Sequence, residues 1–263
     1  MKIVLLIRSW VMTKRPVFPV GSILVCLLLV SCATDLAERK RQAEASRRLG
    51  EAYLNEGNFT GALKELLTAE KLYEKDAFLQ NDLGLAYFAK EEYELAISHF
   101  KKALALKHDY SEAANNLGAV YLRLEEWDTA IEHFKKALDN LIYATPQFAL
   151  SNLGEAYRGK KDYELSIAFF KKAIKANAGF PPAHRGLGLT YMAMGDYWTA
   201  ASSLEKAVQY APRFADAYFD LGRAYASQYT NEKALPAFKK VVELAPDTPL
   251  ADSAIAEIRK LQE

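Results

Sequence analysis

The sequence has few of the residues that build catalytic and metal centres. It contains two cysteines and four histidines among 263 residues. The histidines are scattered and show no HExxH or CxxC spacing; they are His99, His108, His133 and His184. Since no carboxylate pair stands out either, the sequence predicts no catalytic residues, no metal site, no cofactor and no small-molecule substrate. The sequence therefore gives no support for an enzymatic function.

An excess of charge of one sign is also missing. The chain has 34 basic and 33 acidic residues, a formal net charge of +1, and lacks the basic patch that marks nucleic-acid binding. Its 51% hydrophobic and 25% charged residues are typical of a folded globular chain. A long apolar run is absent as well: residues 17–30 are almost wholly apolar, but this run of 14 residues is too short for a comfortable membrane span.

The apolar run has the features of a secretory signal. Lys14 and Arg15 precede it, and small residues follow it at the tetrapeptide LVSC, residues 29–32. A basic region, a short apolar region and small residues before a cleavage site define such a signal. We therefore predict a signal peptide at residues 1–31, and Met12 is a possible true start.

The tetrapeptide LVSC resembles the bacterial lipobox. The resemblance implies that lipid is attached to Cys32 and that the chain is cut just before it. The alternative is that Cys32 is an idle cysteine at the end of an uncleaved anchor. Cys26 would leave with the signal, so Cys32 would be the only cysteine left and no internal disulfide could form.

The residue after Cys32 is Ala33 and not aspartate. By resemblance to the sorted lipoproteins of Gram-negative bacteria, this implies a lipid-anchored protein on the periplasmic face of the outer membrane. Two or three acyl chains hold a protein firmly to a bilayer, whereas one chain does not. Residues 32–42 would then form a short acylated tether between the membrane and the rest of the chain.

A short motif recurs along the remainder of the sequence. Leu-Gly-x-x-Tyr appears six times, with spacings of 34, 34, 36, 34 and 34 residues between its glycines. These glycines are Gly50, Gly84, Gly118, Gly154, Gly188 and Gly222. A small residue follows each glycine by twelve positions and a large apolar residue follows it by sixteen. The unit has two amphipathic stretches with a helical period, joined in residues 111–144 by a tight turn at Glu125 and Glu126.

This pattern resembles the tetratricopeptide repeat (TPR), whose period is 34 residues. The resemblance implies an all-α fold, a right-handed superhelical TPR solenoid of six helix pairs over residues 43–248. Residues 249–263 predict a capping helix that covers the end of the stack, with Pro249 at its first position. Pro236 lies inside the second helix of repeat six, where we expect it to kink or shorten that helix.

In the TPR family, the first helices of the repeats line a concave groove. Residues that this resemblance places there are Arg47, Phe78, Asn81, Leu85, Phe88, Asn115, Leu122, Phe148, Ser151, Arg158, Arg185, Leu189, Met192, Phe219 and Arg223. Exposed apolar side chains gathered in a groove mark a binding site, and the two asparagines could bond the backbone of a bound peptide. The alternative for each is packing against an adjacent helix. The set does not match the Lys/Asn/Arg clamp of TPR domains that hold acidic C-terminal tails.

The combination of lipobox, tether, six repeats and cap resembles the type IV pilus biogenesis lipoproteins of the PilF/PilW kind, also called pilotins. That resemblance implies a protein-binding adaptor that binds secretin subunits and helps their outer-membrane localisation and assembly. The alternative is a lipoprotein scaffold of the NlpI kind, which recruits periplasmic proteases or murein hydrolases. The sequence leaves the partner and the oligomeric state open.

Overall fold

The computed structural model describes residues 20–262, with side chains from Asp35 onward. Residues 1–19 of the predicted signal and the side chain of Cys32 lie outside this description. The helices are α1 (Val20–Asn55), α2 (Phe59–Leu72), α3 (Ala77–Ala89), α4 (Tyr93–Leu106), α5 (Ser111–Arg123), α6 (Trp127–Leu138), α7 (Pro146–Gly159), α8 (Tyr163–Ala176), α9 (Pro181–Ala193), α10 (Tyr197–Tyr210), α11 (Ala215–Ser227), α12 (Asn231–Leu244) and α13 (Pro249–Lys260).

The helices pack as six consecutive pairs, from α1 with α2 to α11 with α12, and each pair packs on the next. Helix α13 packs on α12, with Leu250, Ile258 and Leu261 against the last core cluster. Regular structure in residues 20–262 is helical and contains no strand. The predicted all-α solenoid of helix pairs is thereby confirmed.

In each helix pair, a glycine of the first helix faces a large apolar side chain of the second helix. A Cβ atom on Gly118 would lie 2.7 Å from the ring of Phe134, and one on Gly84 would lie 2.6 Å from Phe100. Both rings are fully buried. The recurrent glycine is therefore needed for close approach, because any larger residue would push the paired helices apart.

The turn inside each pair requires a left-handed backbone at the seventh residue after the glycine. Gly57 and Gly195 have φ of +74° and +80°. The other four repeats place non-glycine residues there, with φ between +58° and +62°: Glu91, Glu125, Lys161 and Tyr229. The left-handed region costs an L-residue about 1–2 kcal/mol, so these four turns are strained.

We expect Tyr229→Gly to stabilise the protein. Tyr229 is 92% exposed, so its side chain contributes little burial, while its φ is +58°. The variant relieves the left-handed strain, and the greater chain entropy of glycine offsets part of this gain. The free energy of unfolding should therefore rise by about 0.5–1 kcal/mol. Urea unfolding measures it, with Tyr229→Ala as the control that keeps the strained backbone. Equal stabilities of the glycine and alanine variants would contradict this account of the turn.

A ring stack recurs beside the core in three successive repeats. Tyr87 stacks on His99 with ring centroids 5.2 Å apart, and Tyr121 stacks on His133 at 5.4 Å. In the next repeat, Phe169 takes the position of the histidine on Tyr157 at 5.3 Å. This position therefore requires a flat aromatic ring, and it does not require a titratable group.

Burial lowers the pKa of His133 below its ordinary value, and its Nδ1 atom is buried without a hydrogen-bond partner among the described residues. The folded state therefore favours neutral imidazole, so this group removes stability as the pH falls below the ordinary histidine pKa of about 6.5. We expect His133→Phe to lose less stability than the wild type between pH 7.5 and pH 5, measured by thermal unfolding at both values. If the variant loses as much stability as the wild type over this pH range, groups other than His133 cause the pH dependence.

Two helical segments add detail to the sequence-based expectations. Helix α12 runs through Pro236 to Leu244 without being shortened; the buried side chains of Ala237, Phe238 and Val241 anchor the helix beyond the missing N–H group. Residues 32–42, expected to act as a tether, are helical and continue within α1 into the first repeat.

Candidate functional site

A cleft lies across the first helices of the first four repeats. It has a volume of about 450 Å³ and is lined by residues from α1, α3, α5 and α7 and from the loop before α7. Four aromatic rings line it: Phe78, Tyr110, Tyr143 and Phe148. We call it the main cleft.

Six of the predicted groove residues line the main cleft: Arg47, Phe78, Asn81, Leu85, Asn115 and Phe148. Phe78 and Phe148 are 47% and 45% exposed, so both rings are accessible from the cleft. Each rests edge-on against an aromatic ring of the following turn, Phe78 on Tyr110 and Phe148 on Phe180. These contacts hold both rings in place while leaving one side of each uncovered.

Arg185 and Leu189 line a second, smaller cleft of about 200 Å³, together with Ser151, Glu155 and Phe214. This cleft lies between α7, α9 and α11. The predicted groove is therefore divided into two clefts along the inner face.

Six predicted groove residues line neither of these clefts: Phe88, Leu122, Arg158, Met192, Phe219 and Arg223. Phe88 lies 6.0 Å from the ring of Tyr93, and Phe219 lies 5.7 Å from the ring of Phe238. Leu122 packs against the buried cluster around Phe134. The half-buried side chains of Phe88, Leu122 and Phe219 pack against core clusters, which is the alternative that the sequence left open for each of them.

Asn81 and Asn115, predicted to bond a peptide backbone, bond the neighbouring repeat. Asn116 donates from Nδ2 to Oδ1 of Asn81 at 3.0 Å, and Asn152 donates in the same way to Asn115 at 3.0 Å. Both acceptor residues are less than one tenth exposed. Their amide oxygens thus stabilise the stacking of successive repeats.

Ion pairs continue this arrangement at the same repeat position. Arg47 donates to Asp82 at 3.1 Å, and Nε of Arg185 donates to Asp220 at 2.7 Å. Every bond joins the residue three before the glycine of one repeat to the residue two before the glycine of the next. We call this series the polar ladder; sequence reasoning missed it, although the complementary residue types were visible at these positions.

The polar ladder lacks one rung, between Ser151 and Gly186. Gly186 has no side chain to offer, and a Cβ atom there would lie 2.2 Å from the ring of Phe170. The second cleft opens at this gap, since both residues line it.

Burial strongly affects the acid of the main cleft. It raises the pKa of Asp82 to about 6, although Arg47 works in the opposite direction. The guanidinium of Arg47 also lies within 4 Å of Glu51 and Asp76. The guanidinium of Arg47 is therefore shared among three carboxylates. Acidic groups outnumber the cation in this part of the cleft.

Glu112 is a cleft residue that sequence reasoning missed. It stands six residues before Gly118, at the repeat position that Phe78 and Phe148 occupy in the repeats on either side. Its carboxylate adds to the effect of burial in raising the pKa of Tyr110 and of Tyr143, so it lies near both phenols. Comparing repeats position by position would have found it.

From Asp35 to Gln262, no group of three or more His, Cys, Asp or Glu side chains is arranged to hold a metal ion. None of the described helices contains a stretch long and apolar enough to cross a membrane.

Comparison with known proteins agrees with this geometry. Three tetratricopeptide repeat family profiles match residues 76–142, residues 32–77 and 185–249, and residues 149–180, which together make up most of the chain. Comparison with curated protein sequences finds no significant match.

Several solved structures share the fold. The crystal structure of PilW, a widely conserved type IV pilus biogenesis factor, has a TM-score of 0.72 at 22% identity, covering 81% of this chain and 98% of PilW. PilF from Pseudomonas aeruginosa has a TM-score of 0.67 at 20% identity, covering 84% and 99%. MamA has a TM-score of 0.50 at 28% identity, covering 64% and 91%.

TPR domains bind protein partners, and the exposed rings and bonding groups of the main cleft are suited to that task. With a repeat unit that matches the family over most of the sequence and a helix-pair solenoid built on it, the chain belongs to the tetratricopeptide repeat family.

Proposed function

We propose that this protein is an outer-membrane-anchored TPR lipoprotein that acts as a protein-binding adaptor in type IV pilus biogenesis. In this proposal, the lipid on Cys32 holds the chain at the periplasmic face. The repeats bind secretin subunits and promote their localisation and assembly into multimers.

The observation that carries this proposal is the agreement in length and helix arrangement with PilW. The similarity covers 98% of that chain with a TM-score of 0.72, so it extends over almost the whole of PilW. The lipobox-like residues 29–32 add an anchor, and the main cleft supplies a protein-binding surface.

The anchor predicts the behaviour of Cys32→Ser. Without the thiol, no acyl chain can be attached, and we expect the variant to be found unprocessed or in the soluble periplasmic fraction. Membrane fractionation and intact mass spectrometry measure both properties. Cys26→Ser is the matched control, because Cys26 lies within the predicted signal and should leave the mature mass unchanged. A mature mass and outer-membrane fractionation that are unaltered in Cys32→Ser would contradict lipid attachment.

Purification of the acylated full-length protein from outer membranes tests the partner. We expect secretin subunits to copurify and to be lost when the main cleft is altered. If periplasmic proteases or murein hydrolases copurify in place of secretin, the scaffold of the NlpI kind replaces the pilus adaptor.

A further inference from the structure

The main cleft alternates aromatic and acidic side chains along the inner face. Phe78, Glu112 and Phe148 occupy one repeat position in three successive repeats and line the same cleft. Helices α3, α5 and α7 that carry them are neighbours in the stack. A carboxylate is therefore presented between two exposed rings.

Glu112 is available to a ligand. It is exposed and forms no ion pair with any side chain in the described part of the chain. Arg47, the cation that lines the same cleft, is already held by Asp82 at 3.1 Å and Glu51 at 3.3 Å. Its charge is thus shared with these two carboxylates, and Glu112 keeps no ion-pair partner among the described residues.

At the end of the cleft near α1 and α3, cations already lie against the aromatic rings. The Nζ atom of Lys107 is 5.0 Å from the ring centroid of Phe78 and 4.7 Å from that of Tyr110, and the guanidinium of Arg47 is 5.9 Å from Phe78. At the other end, no described side chain places a cation over Tyr143 or Phe148. The faces of aromatic rings attract cations, and the attraction grows when water is excluded.

We propose that the main cleft binds a lysine or arginine side chain from a segment of the protein partner. The apolar stem packs against Phe148 and Tyr143, and the charged head pairs with Glu112. This combination suits long basic side chains, which bury their stems and keep the charge at a polar group. The inference rests on the proposed adaptor function and adds to it the chemistry of the partner: a basic anchor residue.

Binding of solubilised secretin to the acylated full-length protein in detergent tests this inference. Glu112→Gln keeps the shape and removes the charge, and we expect about fivefold weaker binding. Glu112→Lys places a like charge opposite the anchor, and we expect a loss on the order of 100-fold. Glu132→Gln, an exposed glutamate of α6 outside the cleft, should bind like the wild type. The wild-type interaction should also weaken with salt more than that of Glu112→Gln.

A zero-length carbodiimide cross-link adds an independent readout. It joins an amine to a carboxylate only in contact, so mass spectrometry should find a secretin lysine attached to Glu112; where the anchor is arginine, the charge variants alone carry the result. Wild-type binding by both Glu112 variants, with binding still dependent on Phe78 and Phe148, would overturn the basic anchor while leaving the adaptor function intact. Absence of secretin binding by the wild type would instead contradict the proposed function itself.

Discussion

Gly186→Ala should lower the free energy of unfolding by about 2 kcal/mol, because overpacking a tight core costs about 1–3 kcal/mol. The added Cβ atom would lie 2.2 Å from the ring of Phe170. This ring is 1% exposed and is confined on its other side by Gly154, whose own Cβ would lie 2.9 Å away. Alanine favours helices over glycine by about 0.5–1 kcal/mol, so helix propensity alone predicts the opposite sign. Chemical denaturation of the two proteins measures the difference.

Two variants make this experiment specific. Phe170→Leu should rescue Gly186→Ala in part, since leucine occupies the equivalent position in repeats one and five at Leu66 and Leu204. Gly179→Ala is the control, because its Cβ would meet Tyr210 and Asn177 no closer than an ordinary 3.5 Å. A Gly186→Ala variant as stable as the wild type would show that the ring of Phe170 is not packed tightly against Gly186.

The double change Phe78→Asp with Phe148→Asp should abolish partner binding while leaving the fold intact. Both rings line the main cleft and are nearly half exposed, so their loss leaves no large cavity. An anchor side chain at the centre of an interface contributes about 2 kcal/mol or more, so two lost anchors and two introduced charges should reduce affinity by at least about 100-fold. Copurification of secretin measures binding, and circular dichroism measures helix content.

The matched control is Trp198→Asp with Tyr229→Asp. It adds the same charges at exposed aromatic residues, 70% and 92% exposed, in repeats five and six. We expect the control to keep its partner. Loss of binding in both double variants would indicate a general effect of charge, and retention in both would place the binding surface outside the main cleft.

The repeat architecture was predictable because it produces a regular period in the local sequence. The six glycines and the apolar residues sixteen positions later fix which faces of each helix pair meet, as Gly118 and Phe134 show. The tight turn expected at Glu125 is where φ reaches +59°. These contacts lie within one repeat, so a short stretch of sequence contains all the information that they require.

The division of the groove was less predictable, because it depends on contacts between repeats. Phe78 and Phe88 are equally apolar and lie on the same helix, yet only Phe78 lines the main cleft, since Phe88 packs beside Tyr93. The polar ladder likewise needs side chains about 35 residues apart. Comparison of equivalent positions in adjacent repeats could have revealed it.

The two extra residues between repeats three and four show the same limit. The spacing of 36 residues predicts a longer turn near residues 140–146, but not the contacts that this turn makes. In the structure, Asn140 donates to the carbonyl of Asp109 at 3.3 Å. The same loop supplies Tyr143 and Thr145 to the wall of the main cleft. The insertion thus contributes directly to the candidate site.

The central claim, that this chain assembles secretin at the outer membrane, is tested most directly by secretin multimers in cells that lack it. Heat-resistant multimers should be resolved by gel electrophoresis from three strains: deleted, complemented with the wild type, and complemented with Phe78→Asp and Phe148→Asp. The account predicts secretin monomers in the deleted and double-variant strains and multimers with the wild type. Undiminished multimers in the deleted strain would contradict it.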